Sequence, residues 1–113
     1  MSFSLEPKKK KAAEFSFSCG GWHQMLNAGV GKAIGYTAGP EPGQYTQKAR
    51  ADGGDFGCND GARVTATEAT HMAIIAEKIV SDGRGNYLIQ KELLDHIERF
   101  AKWAKESGGF RVF

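Results

Sequence analysis

A chain of 113 residues with 41% apolar and 25% charged side chains has the composition of one globular domain, long enough for a single modest core. Its formal charge of +2 is too small to specify a nucleic-acid or membrane partner, and its 15 glycines, about twice ordinary usage, forecast many turns. No apolar run reaches the roughly 18 residues of a membrane span, and no apolar core follows the N-terminus as in a secretory signal, so a soluble cytoplasmic protein is expected.

Residues 1–12 contain Pro7 and the run Lys8 to Lys11 and show no period, which predicts a mobile basic tail ahead of one globular domain over 13–113. Lys8, Lys9, Lys10 and Lys11 are its candidate anion contacts. From Glu14 to Ser18 aromatic and small polar residues alternate, the pattern of a strand over 14–18 with Phe15 and Phe17 facing a core. Gly20-Gly21 reads as a break, after which Trp22, Met25, Leu26, Val30 and Ala33 keep helical spacing and predict a helix over about 22–32.

From 35 to 57 the chain is rich in glycine, carries Pro40 and Pro42, and follows neither period, so it is expected to be mostly loop. Loops of this length inside a small domain are often functional. Its aromatic and basic residues Tyr36, Tyr45, Phe56, Lys48 and Arg50, together with Trp22, are therefore the candidate contacts for a partner. The competing reading is that the aromatic residues pin the loop to the core, and that Trp22 and Trp103 are core edges.

Asn59-Asp60-Gly61 is a turn signal, since Asn and Asp bond their own backbone and glycine tolerates positive φ. A short strand over 62–64 follows. Thr65 and Glu68 have capping-box spacing, which starts a helix at about Thr65, or one register later at Thr67; Ala69, Met72, Ala73, Ala76, Ile79 and Val80 give it a buried stripe to about 81. Asp82 to Asn86 ends it. Leu88, Leu93, Leu94, Ile97, Phe100, Ala101 and Ala104 mark a third helix, over about 89–107, and a last strand over 110–113 is expected to pair with residues 15–18. The fold class is thus α+β, three helices with two or three short antiparallel strands.

Standard chemical motifs fail. Gly29 to Gly35 has one residue too many for a dinucleotide fingerprint, and Lys32 is followed by Ala33 where a phosphate loop needs Ser or Thr. A calcium loop aligned on Gly61 puts Phe56, Cys58 and Thr67 where oxygen ligands belong. Cys19, His23, Cys58 and His71 are the inventory of a zinc site or a thiol nucleophile, oriented by Asp55 or Asp60, but they lack the paired spacing of structural zinc ligands. Asp55 and Asp60 could also act as paired carboxylates, with nothing to fix their separation. Two free thiols and one Cys19–Cys58 bridge both remain open, and His71 and His96 sit where core-edge histidines sit. No metal or cofactor is expected.

The segments FSFSCGGWHQML, GYTAGPEP, NDGARVTATEATHMAIIAEKI and FAKWAKESGGFRVF resemble a group of small uncharacterised bacterial and phage-type proteins, over most of the chain. The shared motifs are structural, so the resemblance implies no activity. The expected function is binding to a protein partner, as an inhibitor or regulator, without catalysis. The alternatives are a nucleic-acid or anionic-ligand binder using Lys8 to Lys11 with Lys48 and Arg50, and a small Cys/His thiol enzyme.

Overall fold

The computed structural model describes residues 2–9, 11–41, 44–47, 55–56, 61–83 and 90–113. Lys10, Lys48, Arg50, Cys58, Asn59 and Asp60 lie outside the described residues. The fold is α+β: a four-stranded antiparallel sheet backed by helices, with a separate two-stranded hairpin.

The first strand, β1 (Ser2–Pro7), corrects the expectation of a mobile tail. Its residues alternate in the same way as those of β2 (Phe15–Ser18): Phe3 and Leu5 point into the core, while Ser2, Ser4 and Glu6 point away. Phe3 pairs with Phe17 and Leu5 with Phe15 across the β1–β2 hairpin. Lys8, Lys9 and Lys11 therefore lie between the two strands of this hairpin. The first two are tied down by Lys8 N–H donating to Gly109 O at 2.9 Å and Lys9 N–H donating to Ser107 O at 3.0 Å.

Helix α1 (Cys19–Asn27) starts three residues earlier than its apolar spacing suggests, because Ser18 caps it: the Ser18 hydroxyl accepts from Gly21 N at 3.0 Å. Gly20 and Gly21 lie in its first turn and do not break the chain. Gly29, at φ 136, ends the helical run, and a 3-10 turn (Val30–Ile34) replaces the expected continuation to 32.

Strands β3 (Tyr36–Ala38) and β4 (Tyr45–Gln47) then form an antiparallel hairpin within what the sequence reads as loop. Strand β5 (Ala62–Val64) and helix α2 (Ala66–Gly83) follow the sequence reading closely. The capping box is present in both directions, Thr65 N–H to Glu68 Oε1 at 3.0 Å and Glu68 N–H to Thr65 Oγ1 at 3.2 Å. Gly61, at φ 85, donates its N–H to Val112 O at 2.7 Å, a backbone angle that glycine adopts without strain.

Helix α3 (Lys91–Ser107) packs along α2 with Leu94, Ile97, Phe100, Ala101 and Ala104 buried, and Lys105 meets Glu77 of α2 in an exposed ion pair. The last strand, β6 (Phe110–Val112), pairs with β1 and β5 and not with β2 as expected. The sheet order is β2-β1-β6-β5, with β1 inserted between the two strands that the sequence suggested as partners.

Helices α1 and α3 meet the buried side of this sheet through aromatic rings, and α2 packs on α3 and on the 3-10 turn. Phe17 lies 5.6 Å from Trp22 and 5.5 Å from Phe100, and Phe110 lies 5.2 Å from Trp103. Helix α3 also closes the β2 edge. Trp103 Nε1–H donates to Ala13 O and His96 Nε2–H to Ser16 O, both at 2.6 Å, and the free Nδ1 of His96 accepts from Arg99 at 3.2 Å. Among the described residues no helix is long and apolar enough to cross a membrane.

Candidate functional site

Of the residues expected to contact a partner, Trp22, Tyr36, Tyr45 and Phe56 are among those described, and the structure turns three of these four inward. Trp22, Tyr36 and Phe56 are 0%, 2% and 0% exposed, so they belong to the core and cannot present a surface. The cause is a chain of hydrogen bonds. Trp22 Nε1–H donates to Phe56 O at 2.8 Å, and Phe56 N–H donates to Gln47 Oε1 at 2.9 Å. Half-buried Tyr45 stacks on Tyr36 at 5.0 Å and donates its hydroxyl to the Asp55 carboxylate, 2.8 and 2.9 Å from its two oxygens. Residues 55–56 are thus clamped to β4 and α1. Burial first, and the Asp55 charge second, hold the Tyr36 phenol above its ordinary value of 10.0.

The thiol and imidazole constellation is not assembled by the described part of the chain. Cys19 is a free, half-buried thiol at the start of α1. His23 packs its ring against Phe3 and Tyr45, and His71 stands exposed on α2 rather than at the edge of the core. No group of three or more His, Cys, Asp or Glu side chains that could hold a metal occurs among the described residues.

A different site emerges on the sheet face that the helices leave open. Ser2, Ser4 and Glu6 of β1, Ser16 and Ser18 of β2, Arg63 of β5 and Arg111 of β6 all point to this face, alternating with the buried residues of each strand. The register aligns Glu6 with Arg111 and Arg111 with Arg63, so one row of charge, minus, plus, plus, crosses three strands. One step beyond that row, Lys8 and Thr65 flank Gly109. Gly109 has φ 98, and a Cβ on it would lie 2.7 Å from Val64 O and 3.0 Å from Ala66 N. Only glycine fits there, and no side chain rises from that position.

The result is a cleft of about 810 Å³ whose charged lining is Lys8, Arg63 and Arg111 against Glu6 and Glu14, with the start of α2 at Thr65 and Ala66 as one wall. The volume is within the roughly 300–1,000 Å³ typical of ligand sites. Of the lysines named as anion contacts, Lys8 lines this cleft, whereas Lys9 lies along Gly108 at the C-terminus of α3, where a cation complements the helix dipole. Lys11 is exposed in the turn.

Sequence reasoning missed Arg63 and Arg111 as site residues. Their signal was present in the triplets Ala62-Arg63-Val64 and Phe110-Arg111-Val112, each a charge between two apolar residues in a short strand. Comparison with known families, curated proteins and solved structures finds no match to this chain.

Proposed function

We propose that this chain is a non-enzymatic binding module that acts on a protein partner, as an inhibitor or regulator, through the open face of its four-stranded sheet. The observation that supports this most is the one-sided construction of the fold. Rings of α1 and α3 pack on the face of the sheet that carries Phe17 and Phe110, while the other side presents short hydroxyl side chains and a row of mixed charge beside a cleft. Small serines keep the face shallow, and charges of both signs suit a polar protein surface better than a uniform polyanion.

A partner captured from the native host after nuclease treatment, then rebound as a purified protein, tests the reading. Ser4→Arg and Ser16→Arg, which crowd the open face, should weaken rebinding by at least about tenfold, whereas His71→Arg on the helical side should not. Equal binding by both face variants would move the function elsewhere. Capture that vanishes with nuclease and falls steeply with salt would favour the nucleic-acid alternative, for which the exposed Lys8 and Lys11 speak.

A further inference from the structure

We infer that the open face of the four-stranded sheet is self-complementary and takes a second copy of this chain, face to face about a two-fold axis that runs parallel to the strands between β1 and β6. The inference goes beyond the open-face reading, since it gives that face a second occupant that competes with any outside partner. β1 and β6 are the central strands, so the middle of the face lies between them. Across this seam the register sets Glu6 beside Arg111. Two backbone hydrogen bonds, Ser4 N–H to Phe113 O at 2.7 Å and Phe113 N–H to Ser4 O at 2.8 Å, set Ser4 beside Phe113 in the same way. Buried Leu5 and Val112 alternate with these residues, so all four side chains belong to the open face. Phe113 is 38% exposed, and the Arg111 guanidinium stands 6.0 Å from the centre of its ring. One central strand thus carries a negative charge and a small residue, the other a positive charge and a large one.

That division is what a two-fold contact needs. An axis parallel to the strands exchanges β1 with β6 of the second copy, so Glu6 faces its Arg111 and Phe113 faces its Ser4, each contact being made twice. An axis perpendicular to the strands keeps β1 over β1 and forfeits both ion pairs, so the charges select the first arrangement. One strand further out the signs repeat, with Glu14 just ahead of β2 and Arg63 on β5, and the same axis sets them opposite each other. The central pairs of Glu6 with Arg111 form whatever Arg63 contacts within its own chain. Packed sheets stand about 10 Å apart, a gap that Glu and Arg span from opposite sides and that a phenyl ring over a serine fills. Four strands about 4.8 Å apart and about six residues long cover roughly 400 Å² on each copy. The total of about 800 Å² falls short of the roughly 1,200–2,000 Å² of stable complexes, so the dimer is weak and reversible. Interfaces of about 1,600 Å² begin at micromolar affinity, which places half that area above about 1 µM.

The test is sedimentation of the full chain at low salt from about 10 µM to about 1 mM, with amide resonances of the isotope-labelled chain followed over the same range. The parent should associate as concentration rises, and the shifts should fall on Ser4, Glu6, Ser16 and Arg111. Glu6→Arg and Arg111→Glu should each weaken self-association by about tenfold or more, because two like-charge contacts replace two ion pairs. An equimolar mixture of these two variants should associate as the parent does, since every central contact then joins opposite charges again; a folding defect in either variant cannot produce that recovery. Ser4→Arg, placed against Phe113 of the second copy, should also block association, while unchanged resonances in α2 and α3 report an intact fold. A parent that stays monomeric at about 1 mM, single variants that associate like the parent, or a mixture no better than its components overturns the inference. So do shifts confined to α2 around the exposed Ile74, which would place the contact on the helical side. If self-association fails while Ser4→Arg still abolishes rebinding of the purified partner, the dimer falls and the open-face reading stands; if the mixture recovers while Ser4→Arg leaves partner rebinding intact, the dimer stands and the open-face reading falls.

Discussion

Replacing Leu5 by Ala is the sharpest test of the N-terminal strand. Leu5 is 0% exposed and sits on a central strand, between Phe15 of β2 and Val112 of β6. Truncating a buried leucine removes its transfer energy and leaves a cavity, which together amount to roughly 2.7–5.0 kcal/mol; at a packed interior site flanked on both sides about 3 kcal/mol is expected. At about 2.1 cal/mol/K per residue, 113 residues give an unfolding entropy near 0.24 kcal/mol/K, so the melting temperature should fall by about 12 °C. Urea denaturation followed by tryptophan fluorescence measures the free energy directly. Ser4→Ala, one residue away on the opposite face, should stay within about 0.5 kcal/mol of the parent. If Leu5→Ala also stays within about 0.5 kcal/mol, residues 2–7 are not a core strand and the sheet order proposed for this fold is wrong.

Thr65→Ala should lower stability by about 1 kcal/mol, because the Glu68 amide loses its hydroxyl acceptor at the start of α2; urea denaturation again reads it. Gly109→Ala should be worse despite its smaller change in side chain, by about 1–3 kcal/mol of backbone strain with a Cβ forced against Val64 O, and a thermal melt indistinguishable from the parent would refute the positive φ assigned there. Above pH 10 stability should decline. The unfolded chain releases the Tyr36 proton near 10.0 while the folded chain holds it to a higher pH, so in that window the folded state binds more protons and loses stability as pH rises. Tyrosinate absorbance should show one tyrosine titrating late, and Asp55→Asn should bring it part of the way back, since burial is the larger cause; a normal titration of all tyrosines would contradict the stacked, buried position of Tyr36.

Much of the fold was legible in the chain because its causes are local. The Thr65–Glu68 box joins groups three residues apart, and the stripe from Ala69 to Val80 repeats at helical spacing, so α2 is determined before any tertiary contact forms. The same holds for α3 and for the alternation of β2. β1 carried an equally good alternation over Phe3 and Leu5, but the lysine run after it suggested a solvated tail; pairing with β2 and β6 makes it a strand. The β3–β4 hairpin is likewise made by partners. Its glycines and prolines favour turns, and the Tyr36–Tyr45 stack with the Tyr45–Asp55 and Trp22–Phe56 hydrogen bonds supplies what local propensity lacks.

The sequence by itself determined the α+β class and the helical faces, products of residue spacing and backbone preference within one segment. Tertiary structure decided which side chains face water and which charges meet. Trp22, Tyr36 and Phe56 look like exposed anchors in a glycine-rich stretch, yet hydrogen bonds across as many as 34 residues draw them inside. Arg63 and Arg111 lie far apart in the chain, and stand side by side because strand register, set by the burial of their apolar neighbours, fixes every outward-facing residue as well.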